Sequence, residues 1–398
     1  MARSYRFRLA LLAALLVCSS AKAHQLSPCY RVLTYEAGMP GQEPIRYLGY
    51  FCGVVMSSQE RSAVHEHMTA ATIREYRQIP SDRPAGTNWK WEYMIESPWT
   101  KSGREHRSFA IIFGTWWNDD PLMLSLGQSR DFMRGGVKIW TAFQRNQDYY
   151  AGARGNCAVA AADHLARASH IGNLQHLHFM TTDQTSDPAG SMERVANTVD
   201  LVLGWLSFAY QVATGELAPD HPLTAQMEKS LGLPSIADNH CVLPENVKLR
   251  TLFARNGQSI AERNRRTPDI ALGSMLHILQ DSFAPAHTCR ISTYVGRQRV
   301  ALLRDIGNYA LQDKRVHAEM DKHPEWLLAV LKSGEHRYAN DPVLTGAWLI
   351  AAVDQRMPWN DVERHLRQTI FASAAVDAEV EDVQCIERRP ALSRPLER

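Results

Sequence analysis

The chain has 398 residues, 45% of them hydrophobic and 22% charged, with 44 basic against 42 acidic side chains. A formal charge of +2 without a basic stripe excludes a strongly basic nucleic-acid binder. The length permits one large domain or two, and with no Pro/Gly/Ser linker and no internal repeat to divide it, one is expected.

Residues 1–23 read as a secretory signal peptide: a basic start, an apolar run from Leu9 to Val17, and small residues at Ala21 and Ala23 before the cleavage point. That run is too short to span a bilayer, and no later segment offers about 18 uninterrupted apolar residues. The mature chain is therefore expected to be soluble, secreted or periplasmic, and monomeric. Cleavage removes Arg3, Arg6, Arg8 and Lys22, leaving 40 basic against 42 acidic residues. It also removes Cys18, leaving Cys29, Cys52, Cys157, Cys241, Cys289 and Cys385. An even number in an oxidising compartment predicts disulfides, in a pairing the spacing does not fix.

Residues 24–56 read as an extended segment. YRVLTY and RYLGYFCGVV are rich in β-branched and aromatic residues on either side of the turn signal GMPGQEP, a small hairpin that Cys29 and Cys52 would staple. Residues 57–386 read as a mainly α domain, with helical patterning near 57–78, 157–171, 191–215, 243–265, 268–284, 298–322 and 342–376. The last stretch, 387–398, reads as a disordered tail.

The first helix opens at SSQE, with Ser57 and Glu60 spaced as a capping box, and carries His65. His67 is the alternative, about 200° around the helix. In TNWKWEYMIESPW, Trp89, Trp91 and Trp99 fit either an interfacial loop or one buried strand face. TWWNDDPL follows with two adjacent carboxylates, Asp119 and Asp120, and with Trp116 and Trp117, whose rings suit either packing or a quaternary ammonium. LHFM then supplies His178, with His176 as its alternative.

The stretch HILQDSFAPAH is the most informative. Its helix is predicted to begin at TPD, with Thr267 as N-cap and Pro268 at the first helical position. His277 and Asp281 then lie one turn apart on one face, beside an apolar stripe of Leu272, Met275, Leu276, Leu279 and Phe283. Pro285 ends the helix and allows His287 to turn back toward that face. RVHAEMDKHPEW repeats the spacing with His317 and Asp321, and Pro324 closes it. Imidazole nitrogens and carboxylate oxygens are ligands that zinc takes. His106, His164, His170, His240 and His323 read as structural. There is no G-x-S-x-G elbow, P-loop or H-E-x-x-H, so serine-hydrolase, nucleotide-binding and zincin readings have no support.

These motifs resemble the superfamily of zinc-dependent phospholipases C and single-strand-specific nucleases over roughly residues 57 to 325. The pattern H-x-x-x-D-x-x-x-P-x-H is met by His277, Asp281, Pro285 and His287, and the later H-x-x-x-[ED] by His317 and Asp321. His65 precedes Ile73 at the family's spacing, Trp117 and Asp119 supply its W-x-D element, and His178 with Phe179 its histidine–aromatic pair. The resemblance implies an all-helical secreted enzyme with three zinc ions. One would be held by Asp119, His178, His277 and Asp281, a second by His287, His317 and Asp321, and a third by His65 with Asp281 bridging. Family members complete the third site with the mature N-terminus, whereas here the predicted N-terminus, His24, lies far ahead of His65.

The activity so implied is a phospholipase C acting on choline-type phospholipid at a membrane surface, with Asp119 or Asp120 managing proton transfer. Asp321 is closer to the nucleases' form of the second motif, which keeps single-stranded nucleic acid as the alternative substrate. A non-catalytic secreted zinc- or lipid-binding protein is the alternative of a different class.

Overall fold

A computed structural model describes residues 64–78, 107–119, most of 169–183, 191–224, 248–254, 258–309, a few positions between 310 and 323, 324–374 and 382–384. The predicted signal peptide, N-terminal hairpin, tryptophan-rich stretch and C-terminal tail lie outside the described residues. So do Ser57, Glu60, Asp120 and Asp321.

The described chain is mainly helical with one small sheet. In order it forms α1 (Val64–Gln78), α2 (Arg107–Gly114), a 3-10 turn (Gln175–His178), α3 (Ser191–Thr214), the single turn α4 (Leu249–Leu252), α5 (Ile260–Asp281), β1 (Thr288–Val295), β2 (Gln298–Ile306), α6 (Glu325–Ser333), α7 (Pro342–Gln355), α8 (Trp359–Gln368) and β3 (Asp382–Gln384). No helix among the described residues is long and apolar enough to cross a membrane.

Helix α5 is the axis of the molecule: α1, α2, α3, α4 and α7 all pack on it. Its predicted stripe, Leu272, Met275, Leu276, Leu279 and Phe283, is buried throughout. So are Ser274, His277, Gln280 and Asp281, and polar groups removed from water must find partners inside. Ser274 does so by donating to Asn118 Oδ1 at 2.7 Å and accepting from Trp205 Nε1 at 3.1 Å.

The crossing of α2 and α5 sets the site. A Cβ on Gly114 would lie 2.8 Å from Gly273 Cα, so the two backbones meet where neither residue has a side chain. Thr115 and Asp119 follow Gly114 on one side, and His277 stands one turn beyond Gly273 on the other. A methyl group at Gly273 meets backbone rather than a yielding side chain. Gly273→Ala is therefore expected to cost about 1–3 kcal/mol or more through overpacking, read as a lower urea midpoint at unchanged slope.

Three predicted boundaries are corrected. Helix α5 starts at Ile260, capped by Ser259 Oγ accepting from Glu262 N at 3.2 Å, and contains Pro268 in its interior. Only one intrahelical donor is lost at that proline. The turn around it is held by Arg266, which bonds Glu262 Oε1 and Asp269 Oδ2 at 3.1 Å each, and by Arg107 on Asp269 Oδ1 at 2.5 Å. The expected helix over 298–322 begins instead as strand β2. Gly296, at φ +62°, reverses the chain after β1, and Ala301 and Leu303 turn inward with the period of a strand. The expected helix over 342–376 is two helices, because Arg356 adopts φ +50° ahead of Met357 and Pro358.

The sheet order is β2-β1-β3, antiparallel throughout. Cys289 is disulfide-bonded, and every other cysteine lies outside the described residues. The β1/β3 register pairs Arg290 with Gln384; in the sequence Cys289 precedes the first and Cys385 follows the second, which makes these two cysteines the expected pair. Peptide mapping without reduction is expected to recover a Cys289–Cys385 link; Cys289 joined to any other cysteine contradicts it.

Candidate metal centre

Asp281, the last residue of α5, is fully buried, and imidazoles from four separate chain segments surround it. Its Oδ2 lies 2.9 Å from His277 Nε2 and 3.0 Å from His178 Nδ1, and those two nitrogens are 3.0 Å apart. His287 Nδ1 is 3.6 Å from the same oxygen, and His65 Nε2 is 3.5 Å from Oδ1. The i,i+4 spacing brings His277 and Asp281 together on α5. The turn after α5 returns His287, and the 3-10 turn delivers His178. The His65 ring, from α1, stacks on that of His277 at 4.0 Å.

Each ring has a fixed orientation. His277 Nδ1 donates to the Thr115 carbonyl at 2.6 Å, His178 Nε2 to the Asn118 carbonyl at 3.1 Å, and His287 Nδ1 to the His178 carbonyl at 2.6 Å. His65 Nδ1 donates to Gln280 Oε1 at 2.6 Å, and the Gln280 amide nitrogen bonds Thr69 Oγ1 at 2.8 Å, which fixes which end of the glutamine accepts. His317 Nδ1 donates to Gln312 Oε1 at 2.5 Å, and the Gln312 amide nitrogen bonds the Ala286 carbonyl at 2.5 Å. A carbonyl only accepts, so the single hydrogen of each neutral imidazole is committed there. Outer partners that fix tautomer and ring angle in this way accompany metal-ligating histidines.

The consequence is electrostatic. His277 Nε2, His178 Nδ1 and Asp281 Oδ2 all present lone pairs to one another at about hydrogen-bond distance, with no hydrogen left between them. Such a group needs a cation. Without a metal the cation is a proton, and the two histidines divide sharply over it. Burial pushes His178 well below its ordinary pKa, helped by His170, His277, His287 and His65. Burial also opposes charge on His277, but the Asp281 carboxylate, Asp119 and the Thr115 carbonyl together raise it. A divalent ion replaces that proton without rebuilding the site, and the nitrogen and oxygen donors suit zinc.

Two groups of potential ligands have donor atoms within 4.8 Å of one another: His65, His277 and Asp281, and Asp119, His170 and His178. His317 stacks on His287 at 5.2 Å, with Tyr309 tilted against it at 4.6 Å. His65, Asp119, His178, His277, Asp281, His287 and His317 are thus all brought to one region. His67 stays outside it, half-buried on another face of α1. His176 lines a separate cavity with Arg194, Asp183 and Thr181.

Asp119 groups with His178, as expected, and also with His170: its Oδ1 is 3.4 Å from His170 Nε2, while its Oδ2 is 3.9 Å from the committed Nδ1 of His277. His170, read as structural from the sequence, thus lies within ligand distance of Asp119 and His178. Trp116 and Trp117 pack inside. Trp117 stacks on Trp205 at 5.0 Å and donates to the Leu252 carbonyl, and Trp116 donates to Glu66 Oε1 at 2.9 Å. At 3% and 0% exposure, neither ring offers a face to a choline group.

Arg290 braces the ligand loop. Its buried guanidinium donates to the Ser282 carbonyl at 2.6 Å, the Ala301 carbonyl at 2.7 Å and the Ile370 carbonyl at 2.9 Å, and lies 3.9 Å over the Phe283 ring. It ties the end of α5 to β2 and to the turn after α8.

No family model, curated protein or solved structure matches the chain.

Proposed function

We propose that this chain is a secreted zinc-dependent phosphodiester hydrolase of the phospholipase C type, cleaving the glycerol-side phosphodiester bond of choline-type phospholipids. The observation that carries the reading is the convergence of His277 Nε2, His178 Nδ1 and Asp281 Oδ2 as three lone-pair donors about 3 Å apart, each ring anchored through its far nitrogen. The order of ligands along the chain supports the reading too, since it follows the resemblance from His65 to His317.

In this assignment His178, His277 and Asp281 would hold one zinc, His65 with Asp281 a second, and His287 with His317 and Asp321 a third. Bound zinc supplies a water acidified to near-neutral pKa and neutralises charge on the phosphoryl oxygens. The chain's own part is rigidity, because the carbonyls of Thr115, Asn118 and His178 and the amides of Gln280 and Gln312 hold the rings without reorganisation. Asp119, at 12% side-chain exposure, is less buried than the carboxylate at the hub. Asp119, or Asp120 as the alternative, would take the proton of the attacking water and pass it to the departing glycerol oxygen as the phosphorus–oxygen bond breaks. The products are diacylglycerol and a phosphorylated head group.

The slightly acidic mature chain favours lipid over nucleic acid, whose affinity comes mainly from phosphate contacts to basic residues. Asp321 supports the nuclease reading. The zinc-loaded protein, assayed in parallel on phosphatidylcholine vesicles and single-stranded DNA, is expected to release diacylglycerol and leave the DNA intact. Cleavage of DNA alone would establish the nuclease reading, and bound zinc with no turnover of either would establish a binding protein.

A further inference from the structure

Asp119 belongs to one of the ligand groups that the resemblance implies, but its neighbour His170 belongs to none. His170 is 2% exposed, and its Nδ1 lies 3.1 Å from Ser169 Oγ. Ser169 Oγ donates to the Asn118 carbonyl at 3.2 Å. With Nδ1 turned to Ser169, Nε2 is the ring nitrogen that faces Asp119 Oδ1.

The two atoms are 3.4 Å apart. That distance is long for a charge-assisted N–H···O bond, which runs to about 2.7–2.9 Å. It matches the roughly 3.3–3.4 Å between two ligands each about 2.0–2.1 Å from a tetrahedral zinc. The His178 ring lies 4.3 Å from that of His170, so the pair borders directly on the Asp281 cluster. The far oxygen of the carboxylate, Asp119 Oδ2, is buried, without a hydrogen-bond partner among the described residues, and faces His277 at 3.9 Å.

We propose that His170 is a metal ligand: with Asp119 it holds a divalent ion, zinc by its donor set, at the margin of the Asp281 cluster. Asp119 thereby links the two halves of the centre, one oxygen toward His170 and the other toward His277. This rests on the proposed metal centre and adds to it a ligand from a segment where no motif points.

The test compares wild type with His170→Ala and His170→Gln, the second keeping a polar side chain beside Ser169. Bound zinc per chain and the visible spectrum of the cobalt(II)-substituted protein are read at unchanged circular dichroism. Both variants are expected to lose about one metal equivalent and to show altered cobalt bands. Wild-type metal content and spectrum in a folded variant overturn the assignment. Should neither variant fold, paramagnetic NMR of the cobalt wild type decides. Hyperfine-shifted ring N–H signals are expected for His65, His170, His178, His277, His287 and His317, and the absence of a sixth signal overturns it. A wild type that binds no divalent metal overturns this assignment and the proposed function together, whereas metal binding indifferent to His170 overturns this assignment alone.

Discussion

Asp281→Asn is expected to remove metal from the centre and to lower phosphodiester turnover by roughly a hundredfold or more, while leaving the fold intact. The carboxylate is the common neighbour of His277, His178, His287 and His65 within 2.9–3.6 Å. An amide at this position has no charge to hold a divalent ion. It also carries two hydrogens, which it donates into the lone pairs of His178 and His277. The substitution thus satisfies the metal-free cluster while disabling the loaded one, and unfolding of the metal-free protein should not worsen. His67→Ala is the matched control: His67 is half-buried on another face of the same helix as His65, held below its ordinary pKa by burial and by Arg74. Zinc content, turnover and thermal unfolding of both variants check the argument. An Asp281→Asn protein with near-normal metal and turnover would show that the hub has been misassigned.

The hub is legible in the sequence because its geometry is local. His277 and Asp281 are four apart on a strongly patterned helix, Pro285 predicts the break that returns His287, and the buried stripe from Leu272 to Phe283 fixes which way the helix faces. His65 over His67 follows from the helical period once the apolar face of α1 is known. What remains hidden is what tertiary packing decides. His170 stands eight residues before His178 in ASHIGNLQHLH, a spacing that no motif carries, and only tertiary packing brings the rings to 4.3 Å. Strand β2 has a Val-Ala-Leu-Leu run compatible with either period, and antiparallel pairing with β1 settles it. The interior Pro268 reads as a helix start because the ion pairs around Arg266 and Asp269, which bridge two helices, leave no local trace.

Removal of metal is expected to be the largest single loss of stability available without changing a residue. Folding has placed a carboxylate and several imidazoles in one dry space, where lone pairs at about 3 Å repel unless a cation lies among them, and one proton serves that purpose poorly for so many donors. A ligand that binds only the folded state stabilises it by about 4 kcal/mol at a thousandfold excess over its dissociation constant, a sizeable share of the roughly 5–15 kcal/mol that holds a typical domain together. Urea unfolding with saturating zinc, set against unfolding after exhaustive chelation, is expected to show a midpoint shift of that order. The shift should shrink on acidification, because the imidazoles ligate only when deprotonated and bound protons compete with the metal. At pH 7.5 zinc should raise the midpoint strongly, and near pH 5 it should raise it little. A midpoint indifferent to chelation at pH 7.5 would mean that the cluster is satisfied by protons alone, and that the convergence on Asp281 holds no metal.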